Sequence, residues 1–166
     1  MKHIRSADEW PLQMRPHSIA FVRHGEKAGS GFSADLTEKG YQDAVSVGSR
    51  IRFPVDLFLT SPSPRAVSTA KGIRSGNGSS ADIIEMSQLA EPGLGMYMEF
   101  VPAMRSFFSE ILEVIGERGS ETIVAATHNY VVEYVAEVMG CPRSEPGYLS
   151  GLVVNLEDLS QVCERL

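Results

Sequence analysis

Apolar positions along the chain fall into short blocks separated by polar turns. Residues 18–22, Ser18-Ile19-Ala20-Phe21-Val22, have the length and composition of a buried strand, and they follow a polar, proline-containing lead over residues 1–17. Beyond a Gly- and Ser-rich loop, Tyr41, Ala44, Val45, Gly48 and Ile51 recur at helical spacing behind Thr37, a residue suited to capping, and Pro54 ends that helix. Residues 55–60 predict a second strand. Ser63 as N-cap and Pro64 at the first helical position then predict a helix with Arg65 in its first turn. Residues 72–80, dense in Gly and Ser, predict a flexible connector, and residues 82–85 a short strand before an irregular Pro-, Gly- and Met-rich stretch suited to lining a pocket. Phe100, Val101, Met104, Phe107, Phe108, Ile111, Leu112 and Ile115 mark one face of an amphipathic helix. A buried strand over 122–127, a helix over 130–139 and a final strand over 152–156 complete the pattern. Alternation of this kind predicts an α/β fold with a central, mostly parallel sheet flanked by helices; no internal repeat is detectable.

Length adds one constraint. A chain of 166 residues with 43% hydrophobic content suits one domain, here residues 18–166, with the lead either packed across it or mobile. The net charge of -6 argues against nucleic-acid or anionic-membrane partners, so any anion site must be locally basic. Two cysteines, Cys141 and Cys163, are too few for a disulfide framework and lack the paired spacing of a zinc site, which fits a reducing cytoplasm. The chain has neither the apolar core of a signal peptide nor a run of about 18 apolar residues, so neither export nor a membrane span is expected. No pattern in it sets an oligomeric state.

Three strands end immediately before polar residues: Val22 before Arg23-His24, Thr60 before Ser61-Pro62, and Thr127 before His128. Ligands of open α/β sheets bind beyond the carboxyl ends of strands, so these segments are expected to converge. Two arginines and two histidines in one place suit a phosphoryl group, whose transfer needs cations and donors around its oxygens and an aligned nucleophile. A neutral imidazole attacks phosphorus when one ring nitrogen is free and the other is held by a backbone acceptor; His24 is the candidate, with Gly25 permitting close backbone approach. The guanidinium forks of Arg23 and Arg65 match phosphate oxygens, and Arg65 lies near the positive end of a helix dipole. The leaving group needs a proton. Glu91, in Leu89-Ala90-Glu91-Pro92, is the leading donor, with Asp35, Glu26 and Glu99 as alternatives.

Each of these residues also has a plainer reading. An isolated histidine is usually structural, and arginines usually make surface ion pairs. A metal site on His24 and His128 lacks a third ligand at matching spacing. Ser30 and the glycines around it suit either a phosphate-contacting nest or a surface loop, and Lys27 and Lys39 suit solvated charges. Met86, Met96, Met98 and Met104 either soften a pocket or fill core gaps.

Taken in order, Phe21-Val22-Arg23-His24-Gly25-Glu26, Leu36-Thr37-x-x-Gly40, Thr60-Ser61-Pro62-x-x-Arg65-Ala66-x-x-Thr69-Ala70, Leu89-x-Glu91 and Thr127-His128 resemble the motifs of the histidine phosphatase, or phosphoglycerate mutase-like, superfamily across residues 19–139. The resemblance implies a three-layer α/β/α fold and a catalytic set of His24 as nucleophile, Glu91 as proton donor that later activates water, and His128. It also implies that Arg23, Arg65 and His128 bind phosphate alongside His24. The short chain and the His128-Asn129 pair look more like the small phosphatases, phosphohistidine phosphatases included, than the longer mutases. Near Ser30 many mutase-like members carry an Asn, and the usual Gly-x-x-Glu-Gly pattern is replaced by Gly95-Met96-Tyr97-Met98-Glu99-Phe100. The expectation is a phosphatase that needs neither metal nor cofactor and acts on a phosphorylated small molecule or a phosphoprotein through a phosphohistidine. A mutase-type phosphotransferase and a non-catalytic phospho-ligand-binding module are the alternatives.

Overall fold

The computed structural model describes residues 2–90 and 97–166, with side chains in the latter stretch from residue 106 onward. Strands β1 (Ser18–Arg23), β2 (Leu57–Thr60), β3 (Ile83–Glu85), β4 (Thr122–Thr127) and β5 (Gly151–Asn155) form one sheet in the order β3-β2-β4-β1-β5. β1 and β2 both pair with β4 in parallel, β3 runs parallel to β2, and β5 is antiparallel to β1 at the edge. The central, mostly parallel sheet is thus as the alternation predicts.

Period-2 alternation divides the sheet's two faces. Ile19, Phe21, Leu57, Leu59, Ile123 and Ala125 point into a core with Phe107, Phe108 and Ile111 of α3 (Tyr97–Arg118), Val131 and Val135 of α4 (Asn129–Val138) and Leu159 of α5 (Leu156–Arg165). Ala20, Val22, Phe58, Val124 and Ala126 point the other way, onto Ala44 and Val47 of α1 (Glu38–Arg50) and Ala70 and Ile73 of α2 (Pro64–Asn77). Every strand residue of β4 is buried, as a strand covered on both faces requires. The helix caps follow the sequence. Thr37 Oγ1 accepts from the Gly40 N–H at 2.9 Å, and Ser63 and Pro64 take the N-cap and first positions of α2, although the Ser63 hydroxyl makes no cap bond.

Two expectations are corrected. Residues 72–80 are not a connector: α2 continues to Asn77 and ends at Gly78, which takes the left-handed φ of 70° of a helix C-terminus. The glycines that suggested flexibility instead let α1 and α2 touch backbone to backbone. A Cβ on Gly76 would lie 1.9 Å from the Val45 carbonyl oxygen, and one on Gly48 2.1 Å from that of Ile73. Nor does the chain finish in strand. Residues 156–165 form α5, capped by Asn155 Oδ1 accepting from the Glu157 N–H at 2.8 Å, with Leu159 and Val162 buried.

The lead is packed. Trp10 and Met14 are fully buried, the Trp10 indole Nε1 donates to the Leu149 carbonyl at 2.8 Å, and Arg5 bridges to Gly151 at the start of β5. Among the described residues no helix is long and apolar enough to cross a membrane.

The α1–α2 contact makes a test of the first correction. Helix propensity alone has Gly76→Ala stabilising by about 1 kcal/mol; the Val45 carbonyl has it destabilising by about 2 kcal/mol or more. A urea titration of the variant is expected to show the loss, and a gain would contradict the packing.

Candidate active site

Because β2, β4 and β1 are adjacent and parallel, their carboxyl ends lie along one edge of the sheet. Arg23 pairs in register with Thr127, and Thr60 with Ala126, so His24, Ser61 and His128 leave the three strands side by side. The junctions are tied: the His24 N–H donates to the Thr127 carbonyl at 2.9 Å and the Ser61 N–H to the Ala126 carbonyl at 3.1 Å. α2 and α4 begin at this edge, bringing Arg65 in the first turn of one and His128 at the N-cap of the other, where helix dipoles favour an anion.

His24 is 4% exposed. Its Nδ1 lies 2.8 Å from the Gly25 carbonyl, which can only accept, so Nδ1 carries the proton and Nε2 keeps its lone pair. The Arg65 Nε–H points at that lone pair from 3.3 Å. His128, 1% exposed, stands with its ring centroid 5.3 Å from that of His24, and its Nε2 meets Ser61 Oγ at 2.8 Å. Ser61 Oγ also accepts from the Ser63 N–H at 3.2 Å. The Ser61 hydroxyl, with one proton and a second lone pair, can complete the contact with His128 Nε2 as donor or as acceptor, according to the tautomer of that ring.

The arginines differ. Arg65 is 3% exposed, and besides His24 its Nη1 donates to the carbonyls of Gly31 and Phe32, both at 3.3 Å. The Gly-rich loop therefore turns carbonyls toward the site, not a nest of N–H groups, and Ser30 is exposed. Arg23 is half-buried. Its Nη1 donates to the Pro146 carbonyl at 2.7 Å, its guanidinium lies 4.5 Å from the centroid of the Tyr148 ring, and its Nε is buried with no hydrogen-bond partner among the described residues. The Tyr148 ring in turn lies 5.9 Å from that of His24.

Gly25 does need to be small: a Cβ there would meet the Gly40 carbonyl oxygen at 3.0 Å, while its N–H donates to Thr69 Oγ1 at the same distance. Of the carboxylates, Glu26 accepts from Thr37 Oγ1 at 2.8 Å and Asp35 from the Leu36 N–H at 2.7 Å. Glu91 and Glu99, with Met96, Met98 and Met104, lie outside the residues whose side chains are described; Met86 is core. The sequence therefore brings Arg23, His24, Arg65 and His128 together, as expected, but three contributors had not been singled out for the site. Ser61 had a visible signal, since it follows a strand end. Tyr148 and the Pro146 carbonyl come from a loop more than a hundred residues downstream of His24, and no local pattern marks them.

Burial among cations sets the protonation states. Desolvation holds the His24 imidazole down at about 4, reinforced by the charges of Arg65, Arg23 and Lys27 and opposed by the Gly25 carbonyl bond. Desolvation also holds His128 at about 3, with His24, Arg65, Arg23 and Lys27 acting in the same direction. At neutral pH both rings are uncharged, and the positive charge at the site is carried by arginine.

A sequence model of the histidine phosphatase superfamily, branch 1, matches residues 19–107, which is more than half of the chain, and the protein belongs to that family. Among solved structures the fold resembles a phosphoglycerate mutase from Bacillus anthracis str. Sterne at 12% identity and a TM-score of 0.69, covering 91% of this chain and 98% of that one. It also resembles the protein histidine phosphatase SixA complexed with tungstate, at 17% identity, TM-score 0.66 and coverage of 85% and 90%. A mycobacterial glucosyl-3-phosphoglycerate phosphatase gives 16% identity, TM-score 0.63 and coverage of 84% and 90%. No curated protein matches the chain in sequence.

The lowered imidazole pKa values fix a stability profile. The unfolded chain takes up protons at both histidines as pH falls through about 6.5, the folded chain only near 4 and 3. Their contribution is therefore complete above about pH 7 and is lost as pH falls from 6.5, by up to about 1.4 kcal/mol per pH unit for each site. Urea midpoints measured from pH 7 to 5 are expected to fall, and to fall less in His128→Gln. An equal slope in the two proteins would contradict a buried neutral His128.

Proposed function

We propose that the chain is a phosphatase, independent of metal and cofactor, that hydrolyses a phosphomonoester or phosphoramidate through a phosphohistidine at His24. The observation that carries this reading is the state of the His24 ring: Nδ1 is committed to the Gly25 carbonyl, and the Nε2 lone pair faces the Arg65 guanidinium. A phosphoryl group delivered there meets a neutral nucleophile and a fixed cation at once.

In the proposed reaction Arg65 turns its donors from Nε2 and the loop carbonyls to the phosphoryl oxygens, and Arg23 offers its buried Nε. His128, held through Nε2 by Ser61, stands beside His24 as a further contact for the phosphoryl group. His24 Nε2 attacks phosphorus, forming the N–P bond as the bond to the leaving oxygen or nitrogen breaks, and the leaving atom takes a proton from Glu91. Water then gives its proton to the Glu91 carboxylate and attacks the phosphohistidine, releasing phosphate and restoring His24. Support for Glu91 comes from the chain just before it: the Leu89 carbonyl accepts from Thr127 Oγ1 at 2.7 Å, next to His128. The departure near Ser30 favours a small phosphatase over a mutase, and a chain with two unpaired cysteines suits a reducing cytoplasm. The substrate class spans phosphorylated small molecules and phosphoproteins, and among similar folds SixA is a protein histidine phosphatase.

The test is phosphate release from aryl phosphate, phosphohistidine, phosphoamino-acid and phosphoglycerate substrates by wild type and His24→Ala, with chelator present. Release is expected from wild type, unaffected by chelator, and reduced about a thousandfold or more in the variant, with an acid-labile phosphoryl group trapped on wild type alone. Phosphoryl return to a phosphoglycerate hydroxyl would favour the mutase reading. Phosphate binding with no turnover of any substrate would favour a binding module.

A further inference from the structure

Arg23 and Arg65 are fixed to different degrees. Arg65 rises from the first turn of α2 and is enclosed, with donors set on His24 and two loop carbonyls. Arg23 ends β1 and is half-buried. Among the described residues its side chain makes one hydrogen bond, from Nη1 to the Pro146 carbonyl at 2.7 Å, and no salt bridge. A single hydrogen bond fixes a point and leaves the guanidinium plane free to turn about it. What faces that group is the ring of Tyr148, its centroid 4.5 Å from the guanidinium carbon. With Nη1 tied and one face covered, the Nε–H is left buried and without a partner among the described residues.

Tyr148 is 42% exposed, so its ring is not there to fill the core. The backbone around it is nevertheless attached to the residue it covers. Leu149, next in the chain, donates its N–H to the Arg23 carbonyl at 3.1 Å, and the Arg23 N–H donates to the Ser150 carbonyl at 2.9 Å. Ring and guanidinium therefore sit on two pieces of backbone that are bonded to each other. The same ring lies 5.9 Å from the ring of His24, so it borders both the cation and the nucleophile of the proposed reaction.

We propose that Tyr148 is a positioning residue for phosphate: its ring holds the Arg23 guanidinium in the orientation that presents Nε–H to the site. The proposal rests on the phosphate-binding part of the function given above, though not on turnover. A neutral ring attracts the cation without cancelling its charge, so the in-plane donor keeps its full strength toward an anion. The contact uses the π face and not the hydroxyl. Tyr148→Phe keeps that face, whereas Tyr148→Leu keeps an apolar side chain and removes it. Without the ring, ordering the guanidinium falls to phosphate binding, and affinity drops.

The experiment is a titration of inorganic phosphate into wild type, Tyr148→Phe and Tyr148→Leu, followed by NMR through the arginine Nε–H signals. The Arg23 and Arg65 signals are assigned with Arg23→Lys and Arg65→Lys. Phosphate is expected to shift both signals in wild type and in Tyr148→Phe. In Tyr148→Leu the Arg65 signal still responds, the Arg23 signal no longer does, and the dissociation constant rises about fivefold. An Arg23 response that is equal in Tyr148→Leu, or absent from wild type, overturns the proposal, as does a Tyr148→Phe variant that binds as weakly as Tyr148→Leu. Parallel loss of the Arg23 and Arg65 responses would make Tyr148 a structural residue only and overturns it too. Phosphate release is read separately on the substrates above. No turnover with a ring-dependent Arg23 response would remove the hydrolase reading and leave the positioning role standing; turnover with an Arg23 response indifferent to the ring would remove the positioning role alone.

Discussion

The hydrogen bond from His24 Nδ1 to the carbonyl of Gly25 decides what the rest of the site can do. It fixes the ring's tautomer and so places the lone pair on Nε2, and it does this with a backbone group that cannot rotate away. That bond forms only if the chain turns sharply after β1. The turn depends in turn on a glycine tight against the Gly40 carbonyl, on Thr69 Oγ1 accepting from the Gly25 N–H, and on the Thr127 carbonyl holding the His24 N–H. α1, α2 and β4 are therefore all engaged in orienting one imidazole. The close approach of α1 to α2, permitted by Gly48 and Gly76, serves the same end, because these helices carry Gly40, Arg65 and Thr69.

A site that gathers two arginines and two histidines must be stabilised by the protein's own groups. Burying two arginines and two histidinium ions together would cost several kcal/mol for each ion, and the fold avoids this in three ways. Both imidazoles are neutral. Arg65, fully enclosed, distributes its donors over the His24 lone pair and two loop carbonyls. Arg23 lays its guanidinium on Tyr148 and gives one donor to Pro146. These neutral partners satisfy some of the guanidinium donors without cancelling the charge, so the site stays locally cationic. The chain's overall charge of -6 and a locally cationic site are thus compatible.

What the sequence could disclose follows from how local each feature is. The carboxyl ends of β1, β2 and β4 were legible because each strand is a mostly apolar run that stops abruptly at Arg23-His24, Ser61 or His128, and parallel pairing does the rest. Arg65 was legible through Ser63-Pro64, a local helix start. Residues 72–80 misled because glycine at a helix–helix contact and glycine in a loop have the same composition; only the position of Val45 and Ile73 tells them apart. α5 was hidden by its polar character, with Leu159 and Val162 its buried residues. Tyr148 and Pro146 reach the site by tertiary folding alone.

That last segment explains why the lead belongs to the site's support. Leu149, buried, holds a left-handed φ of 59°, a conformation a branched-chain residue adopts only where its surroundings impose it. Its N–H donates to the Arg23 carbonyl at 3.1 Å, and its carbonyl accepts from the Trp10 indole at 2.8 Å. The strained turn is clamped between β1 and the lead, and Tyr148 immediately before it is what lies over Arg23 and beside His24. Trp10 thereby stabilises a segment that lies against both Arg23 and His24, so the setting of the candidate site depends on a piece of backbone clamped by the lead.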